Sequence, residues 1–418
     1  MRRVCDFLAA LLIAAPMAAQ APAPTPAPAR TVKLAENLYE ITAFARNPTD
    51  VKVLALVGPD GVLLVDSTSA EMAPAVRAAL DALGAGPVRM IVNTHYHDDH
   101  VGGNHVLGKD AIVIAHDAVV RRMTAGLAML TPRLAGALPT MTFNDTLTLR
   151  FAGEEVRLVN RPAAHTDGDI TVQFVHAGVV AVGDLIFSDR FPFIHTRAGG
   201  TLAGCLATLA ALASEYPGGT RFVAAHGAIY SAAQVTAYRR ELVAMDEKVR
   251  AALAAGSTAE QMQRDKLLAA WSGWDGSYIT ADRFIATLVA AERPSPESGR
   301  PSVLDRLAPA LVVGRGEDAV RLYRTLKAQQ PPEYTFAEAD INQLGYALLQ
   351  AGRTDDAIAV LALNVEEHPG SWNAYDSLGE AYMTAGKREL AIANYSKSLE
   401  LNPGNTNATQ VLERLKAR

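Results

Sequence analysis

At 418 residues and 44.4 kDa the chain exceeds one ordinary domain and has room for two or three units, each able to bury its own core. Hydrophobic residues at 49% against charged residues at 20% exclude a largely disordered chain, a coiled coil and a polytopic membrane protein. With 39 Lys+Arg against 44 Asp+Glu the net charge is -5, which argues against a dedicated nucleic-acid binder, whose affinity needs a cationic face.

Residues 1–19 read as a secretory signal peptide: Arg2 and Arg3 start it, an apolar run follows from Phe7, and Ala18 and Ala19 offer a small-residue exit. The apolar run is about half of the ~20 residues a membrane-spanning helix needs, so an uncleaved anchor is the weaker alternative and the mature chain is expected to hold no transmembrane segment. The expected location is periplasmic or secreted. Loss of Arg2, Arg3 and Asp6 with the leader makes the formal charge one unit more negative, and loss of Cys5 leaves Cys205 as the one thiol, in an apolar stretch that predicts a buried, inert residue. Residues 20–30 alternate Ala and Pro as a semi-extended tether.

From there strands and helices interleave. Residues 38–42, 51–57 and 62–65 predict strands, with Pro59-Asp60-Gly61 turning between the last two. Residues 71–83 predict a helix, 88–94 and 111–115 further strands, and 146–151, 155–160, 170–175 and 179–182 a hairpin-linked series, with a later strand at 221–225. Ser231 with Gln234 predicts a capped helix over 232–255, closed by Gly256, and Ser257 with Glu260 starts another. This order fits two sheets with helices outside. The Pro- and Ser-rich break at 293–301 bounds a catalytic domain of 31–292 and a helical-repeat domain of 302–418.

The last third repeats with a period of 34 residues: Ala357, Leu361 and Pro369 recur as Ala391, Tyr395 and Pro403, and Leu344-Gly345 as Leu378-Gly379. The run Tyr375, Leu378, Gly379 and Tyr382 resembles the tetratricopeptide repeat, with small residues where two helices touch and large ones at the gaps. A third copy, Ala319, Tyr323 and Pro331, keeps the pattern of the second helix alone. Such an array can dock a protein partner, mediate self-association, or do no more than bury its own faces.

The chemistry concentrates at His95-Tyr96-His97-Asp98-Asp99-His100, at the end of the 88–94 strand and before Gly102-Gly103. If the strand continues, His95 and His97 point the same way and offer one metal two imidazoles, while Asp99 and His100 reach a second metal. Further single ligands are expected at other strand ends, where loops gather: His165 after 155–160, Asp184 after 179–182 and His226 after 221–225. Imidazole and carboxylate together suit zinc, with iron or manganese as alternatives.

In this His-x-His-x-Asp-His run and the later His, Asp and His, the sequence resembles the metallo-β-lactamase superfamily over roughly residues 34–255. The resemblance implies an α+β fold, an αββα sandwich followed here by the all-α array. It also implies two Zn2+ per chain: His95, His97 and His165 on the first, Asp99, His100 and His226 on the second, and Asp184 bridging. Two divalent ions side by side sharpen water into a nucleophile at neutral pH, so an exported hydrolase of an ester, thioester or amide-type bond, β-lactams included, is expected on a small-molecule substrate, with Asp99 and Asp184 central to catalysis. Zinc β-lactamases that use cysteine on the second metal have Asp184 in that place here, and those with Asp and two His lack a bridging aspartate; Asp184 is similar to the thioester-hydrolase branch. A rival on the same scaffold is a sulfur dioxygenase with one iron on His95, His165 and Asp184, and a rival of another kind is a protein whose main role is interaction through the array. Phe191, Phe193 and His195 are expected to line the substrate cleft, and Asp66 either to orient a ligand from behind or simply to serve a turn. Nucleic-acid substrates are disfavoured by export and charge.

Overall fold

The computed structural model describes residues 29–44, 50–124, 137–276, 279–293 and 300–416. The leader at 1–19, the tether over 20–28, residues 125–136 and 294–299 of the interdomain break lie outside the described residues. Arg30, expected to end the tether, already opens a strand.

Among the described residues the strands form two sheets. The first holds seven in sequence order: β1 (Arg30–Lys33), β2 (Leu38–Phe44), β3 (Asp50–Gly58), β4 (Gly61–Val65), β5 (Val88–Val92), β6 (Ile112–His116) and β7 (Met141–Phe143). β1 to β4 run antiparallel, and β4 to β7 run parallel because helices cross over between them. The second holds β8 (Thr146–Phe151), β9 (Glu154–Asn160), β10 (Ile170–Phe174), β11 (Val179–Phe187), β12 (Arg221–His226) and β13 (Ile229–Ser231), antiparallel except for the β11–β12 pair.

Side-chain alternation builds four layers. Leu54, Leu56, Leu63 and Val65 face inward and meet Val156, Leu158, Phe174, Val179 and Ala181 of the second sheet. Their neighbours Val53, Ala55, Val62 and Leu64 face outward against Val76 and Leu80 of the helix Ala73–Ala82. On the far side Val180, Val182, Phe222 and Ala224 pack under the helices Leu202–Glu215, Ala232–Ala254 and Ala281–Glu292. This is the αββα sandwich. Cys205 is buried in that outer layer, where desolvation pushes its thiol up to about 12.

The Ser231–Gln234 capping box forms as expected, but the next helix, Ala259–Arg264, is capped by Thr258 with Gln261 rather than by Ser257 with Glu260. The reason is that the Ser257 N–H donates back to the Ala252 carbonyl and closes the preceding helix past Gly256.

Beyond residue 300 the chain is helical. The helices Glu338–Gln350 and Thr354–Glu367 pair as do Trp372–Thr384 and Arg388–Leu401, and Thr406–Lys416 caps the end. A Cβ on Gly345 would come within 2.4 Å of Leu361, and one on Gly379 within 3.1 Å of Tyr395, so each small residue makes room for the large residue sixteen positions on. The weaker third copy has both of its helices, Leu304–Val313 and Gly316–Lys327. No helix among the described residues is long and apolar enough to cross a membrane.

Phe174 is fully buried between the sheets, so Phe174→Ala should cost about 3–5 kcal/mol through lost transfer energy and the cavity left behind. Urea unfolding of the two proteins under one set of conditions measures it.

Candidate metal centre

β5 ends at Val92, earlier than the alternation argument for His95 and His97 requires. The chain bends because Thr94 is drawn away from the ladder: its N–H donates to Asp66 Oδ1 at 2.7 Å and its hydroxyl to Asp66 Oδ2 at 2.8 Å. His95 and His97 still converge, but through different ring atoms, His95 Nε2 and His97 Nδ1, 3.0 Å apart. His165 Nε2, from the loop between β9 and β10, lies 3.2 Å from the first and 3.0 Å from the second. The short helix Asp98–Val101 then turns Asp99 and His100 toward His226 at the end of β12.

Asp184 stands between the two groups. The strand that carries it continues to Phe187 instead of stopping at Val182, and Asp184 is aimed by an irregularity within the β11–β12 pairing around Gly183. Gly183 has φ +50°, and a Cβ there would meet the Thr94 hydroxyl at 2.5 Å, so both conformation and space demand glycine. One Asp184 oxygen, Oδ2, lies 3.7 Å from His165 Nε2 and 4.0 Å from His95 Nε2; the other, Oδ1, lies 3.4 Å from His100 Nε2 and 3.6 Å from His226 Nε2. Asp99 Oδ2 completes the second group, 3.2 Å from His226 Nε2. His95, His97, His165 and Asp184 thus form one cluster of facing donor atoms, and Asp99, His100 and His226 another.

The remaining ring nitrogens are occupied from behind. His100 Nδ1 is 2.8 Å from Asp66 Oδ2, His165 Nδ1 is 2.6 Å from the Phe193 carbonyl, and His226 Nδ1 is 2.7 Å from the Asp50 carbonyl. Each of these partners fixes the tautomer that presents Nε2 to the pocket. Asp66 does so from a left-handed backbone conformation, φ +63°, a strained position for a residue with a side chain.

The charges explain what the pocket is built to hold. Burial, reinforced by neighbouring imidazoles, keeps His95 and His97 well below the ordinary histidine range. In the second cluster burial is outweighed: Asp66, Asp99 and Asp184 raise His100, and Asp184 with Asp99 brings His226 up to about 9. Burial likewise fails to raise the carboxylates, because His100 and His226 pull Asp99 down to about 2 and hold Asp184 well below its usual range. Buried Asp184, with half-buried Asp99 beside it, therefore calls for positive charge at the centre of the pocket. His100 Nε2 and Asp184 Oδ1 are both buried and make no hydrogen bond. A cation between such atoms fits the donor set, which is imidazole and carboxylate without thiolate.

The other expected site residues divide. Phe193 stacks on His97 with ring centroids 5.7 Å apart, and His195 Nδ1 lies 2.9 Å from both His97 Nε2 and the Tyr96 hydroxyl. Burial, with His165 and then Arg122 nearby, lowers His195 to about 4. Phe191 does not line the cleft: it is buried in the outer helical layer against Phe284 and Trp274, where its N–H donates to the Trp274 carbonyl at 3.2 Å and holds that stretch of the loop against the helices. Tyr96 and Asp169, which accepts from the His165 and Thr166 N–H groups at 2.7 Å each, join the site only in the folded chain. The acidic repeat in Thr166-Asp167-Gly168-Asp169 was the available signal for Asp169.

Asp66→Ala should leave His100 free to turn and weaken metal retention about 10–100-fold. Competition titration of the purified protein against a chromophoric chelator reads this directly, and an unchanged affinity contradicts the orienting role.

Residues 46–226 match the family model of the metallo-beta-lactamase superfamily, and residues 373–405 that of the tetratricopeptide repeat. Hydroxyacylglutathione hydrolase from Gloeobacter violaceus is 32% identical over 127 residues, 29% of this chain and 45% of that protein. The protein of the same name from Rhodospirillum rubrum is 30% identical over 148 residues, 34% and 51% respectively. The chain thus spans about half the length of the curated relatives it matches. Among solved structures, a metallo-beta-lactamase from Pontibacter korlensis is 17% identical, covering 51% of this chain and 98% of its own, with a TM-score of 0.45. The metallo-beta-lactamase FIM-1 from Pseudomonas aeruginosa is 18% identical, with 52% and 96% covered and a TM-score of 0.44. By the family-model matches over residues 46–226 and 373–405, with the ordered histidines and aspartates of the two clusters inside the first, the chain carries a metallo-beta-lactamase superfamily domain followed by a C-terminal tetratricopeptide repeat.

Proposed function

We propose that this chain is a hydrolase holding two divalent ions, zinc first among them, that cleaves acyl-thioesters within the wider class of ester, thioester and amide-type carbonyl bonds. The observation that carries the reading is Asp184, whose two oxygens face two separate groups of imidazoles. His95, His97 and His165 would hold one ion, Asp99, His100 and His226 the other, and Asp184 both. Bound there, such ions supply Lewis acidity toward water and toward a carbonyl oxygen.

The chain's own residues supply orientation and a boundary. Asp66, the Asp50 carbonyl and the Phe193 carbonyl aim three imidazoles, so that little reorganisation is left when substrate arrives. The Phe193 ring shields one face of His97 from water, and the Tyr96–His195 pair sets polar groups beside it that can meet a carbonyl or leaving group. Thioesters are favoured because Asp184 stands where some zinc β-lactamases use cysteine, and because the curated relatives are hydroxyacylglutathione hydrolases. β-Lactam opening is kept as a side activity. The Arg2-Arg3 start and the apolar run after it support export to the periplasm or beyond, and the repeats support docking of a protein partner or a second copy.

Zinc-loaded protein assayed against an acyl-thioester, a nitrocefin-type lactam and a phosphodiester should prefer the thioester. Asp184→Ala should lose one zinc per chain by elemental analysis and at least about a hundredfold in kcat, since metal-ion stabilisation is worth several kcal/mol. Full turnover with two zincs in that variant overturns the reading; a single iron in the wild type would favour sulfur oxidation at His95, His165 and Asp184 instead.

A further inference from the structure

The loop after β11 reaches the metal cluster from one side and the helical array from the other. On the cluster side the Phe193 carbonyl accepts from the His165 Nδ1–H, the His195 N–H donates to the His165 carbonyl at 2.9 Å, and His195 Nδ1 meets His97 Nε2. The Asp167 N–H donates to the Ala198 carbonyl at 2.7 Å, and a Cβ on Gly200 would strike the His165 carbonyl at 2.2 Å, so the loop lies flush on the segment that carries His165. On the opposite side Arg197 leaves the single turn Thr196–Ala198 and pairs with Asp340, 143 residues away in the first turn of the helix Glu338–Gln350.

Asp340 is a buried carboxylate of the array. Its side chain is 3% exposed, and within the array its carboxylate is met by the Ser302 hydroxyl, which donates to Oδ2 at 2.6 Å; its other oxygen faces Arg197. Burying a carboxylate is costly unless charge or hydrogen bonds meet it, and here the charge comes from the loop that orients two candidate metal ligands. Arg122 ties the same place from below: it is bidentate to Asp167 at 3.2 and 2.9 Å, reaches the Arg197 carbonyl at 3.4 Å, and feels the Asp305 carboxylate of the helix Leu304–Val313.

We propose that the helical array is a working part of the metal centre, in which Asp340 acts through Arg197 as a positioning residue that presses the 193–198 loop onto His97 and His165. This rests on the metal-site reading above. The array thereby does more than cover its own faces, and the second nitrogens of His97 and His165 keep their partners only while it is seated.

The test uses the full chain with zinc or cobalt(II) alone as probe. Arg197→Ala and Asp340→Asn should each weaken zinc retention about tenfold in chelator competition, the effect expected of residues that support a ligand from behind. The cobalt(II) absorption spectrum should change in both, the double variant should be no worse than either single one because both remove one contact, and Arg197→Lys should recover part of the loss. Arg324→Ala, which removes an ion pair with Glu366 inside the array, serves as a control and should leave metal binding at the wild-type level. If Asp340→Asn fails to fold, Arg197→Ala decides alone, since that side chain is half-exposed. Zinc affinity within twofold of wild type and an unchanged cobalt spectrum in folded Arg197→Ala overturn the proposal, as does a loss equal to it in Arg324→Ala. Failure of the wild type to bind zinc or cobalt would instead count against the metal site itself.

Discussion

One buried carboxylate organises the molecule's functional end. Asp184 sits with one oxygen toward His95 and His165 and the other toward His100 and His226, in a place where water cannot solvate its charge. Burying such a group is costly unless positive charge or hydrogen bonds meet it, and around it the chain places imidazoles from three separate segments. The irregular pairing at Gly183 exists to aim that side chain: a regular strand would alternate it in step with Val180 and Val182, into the outer helical layer.

The sandwich explains how distant residues reach this carboxylate. β5 delivers the His95–His100 segment from the first sheet, while β11 and β12 deliver Asp184 and His226 from the second. The two sheets also share the support: the Asp50 carbonyl of β3 holds His226, and Lys52, buried beside Glu40, donates to the Gly227 carbonyl across the gap. The apolar contact between Leu54, Leu63, Phe174 and Ala181 is therefore the foundation of the site, because it sets how far apart the two groups of ligands stand.

Much of this was legible along the chain. His95 to His100, His165, Asp184 and His226 were recognisable because donor side chains crowd against strand ends and glycines, and the 34-residue period was recognisable because Gly345 and Gly379 must be small where Leu361 and Tyr395 enter. Along the chain Asp66 suits a turn as well as a ligand support, and the fold sets it behind His100. The ring atoms used by His95 and His97 were not legible, because they depend on the bend that the Asp66–Thr94 contact imposes. Phe191 misled because an apolar residue beside a cleft and an apolar residue under it look alike until the backbone direction is known.

What the sequence determined by itself was chemistry: which side chains can bind a cation, the alternation that makes strands two-faced, and the small and large residues that repeat through the helices. Those properties are local, carried by each residue type and its near neighbours. What the tertiary structure decided was partnership, from the carboxylate shared between two clusters to the backbone carbonyls behind His165 and His226 and the reach of Arg197 to Asp340. Such contacts join residues up to 176 positions apart, and their geometry is set by how sheets and helices pack rather than by spacing along the chain.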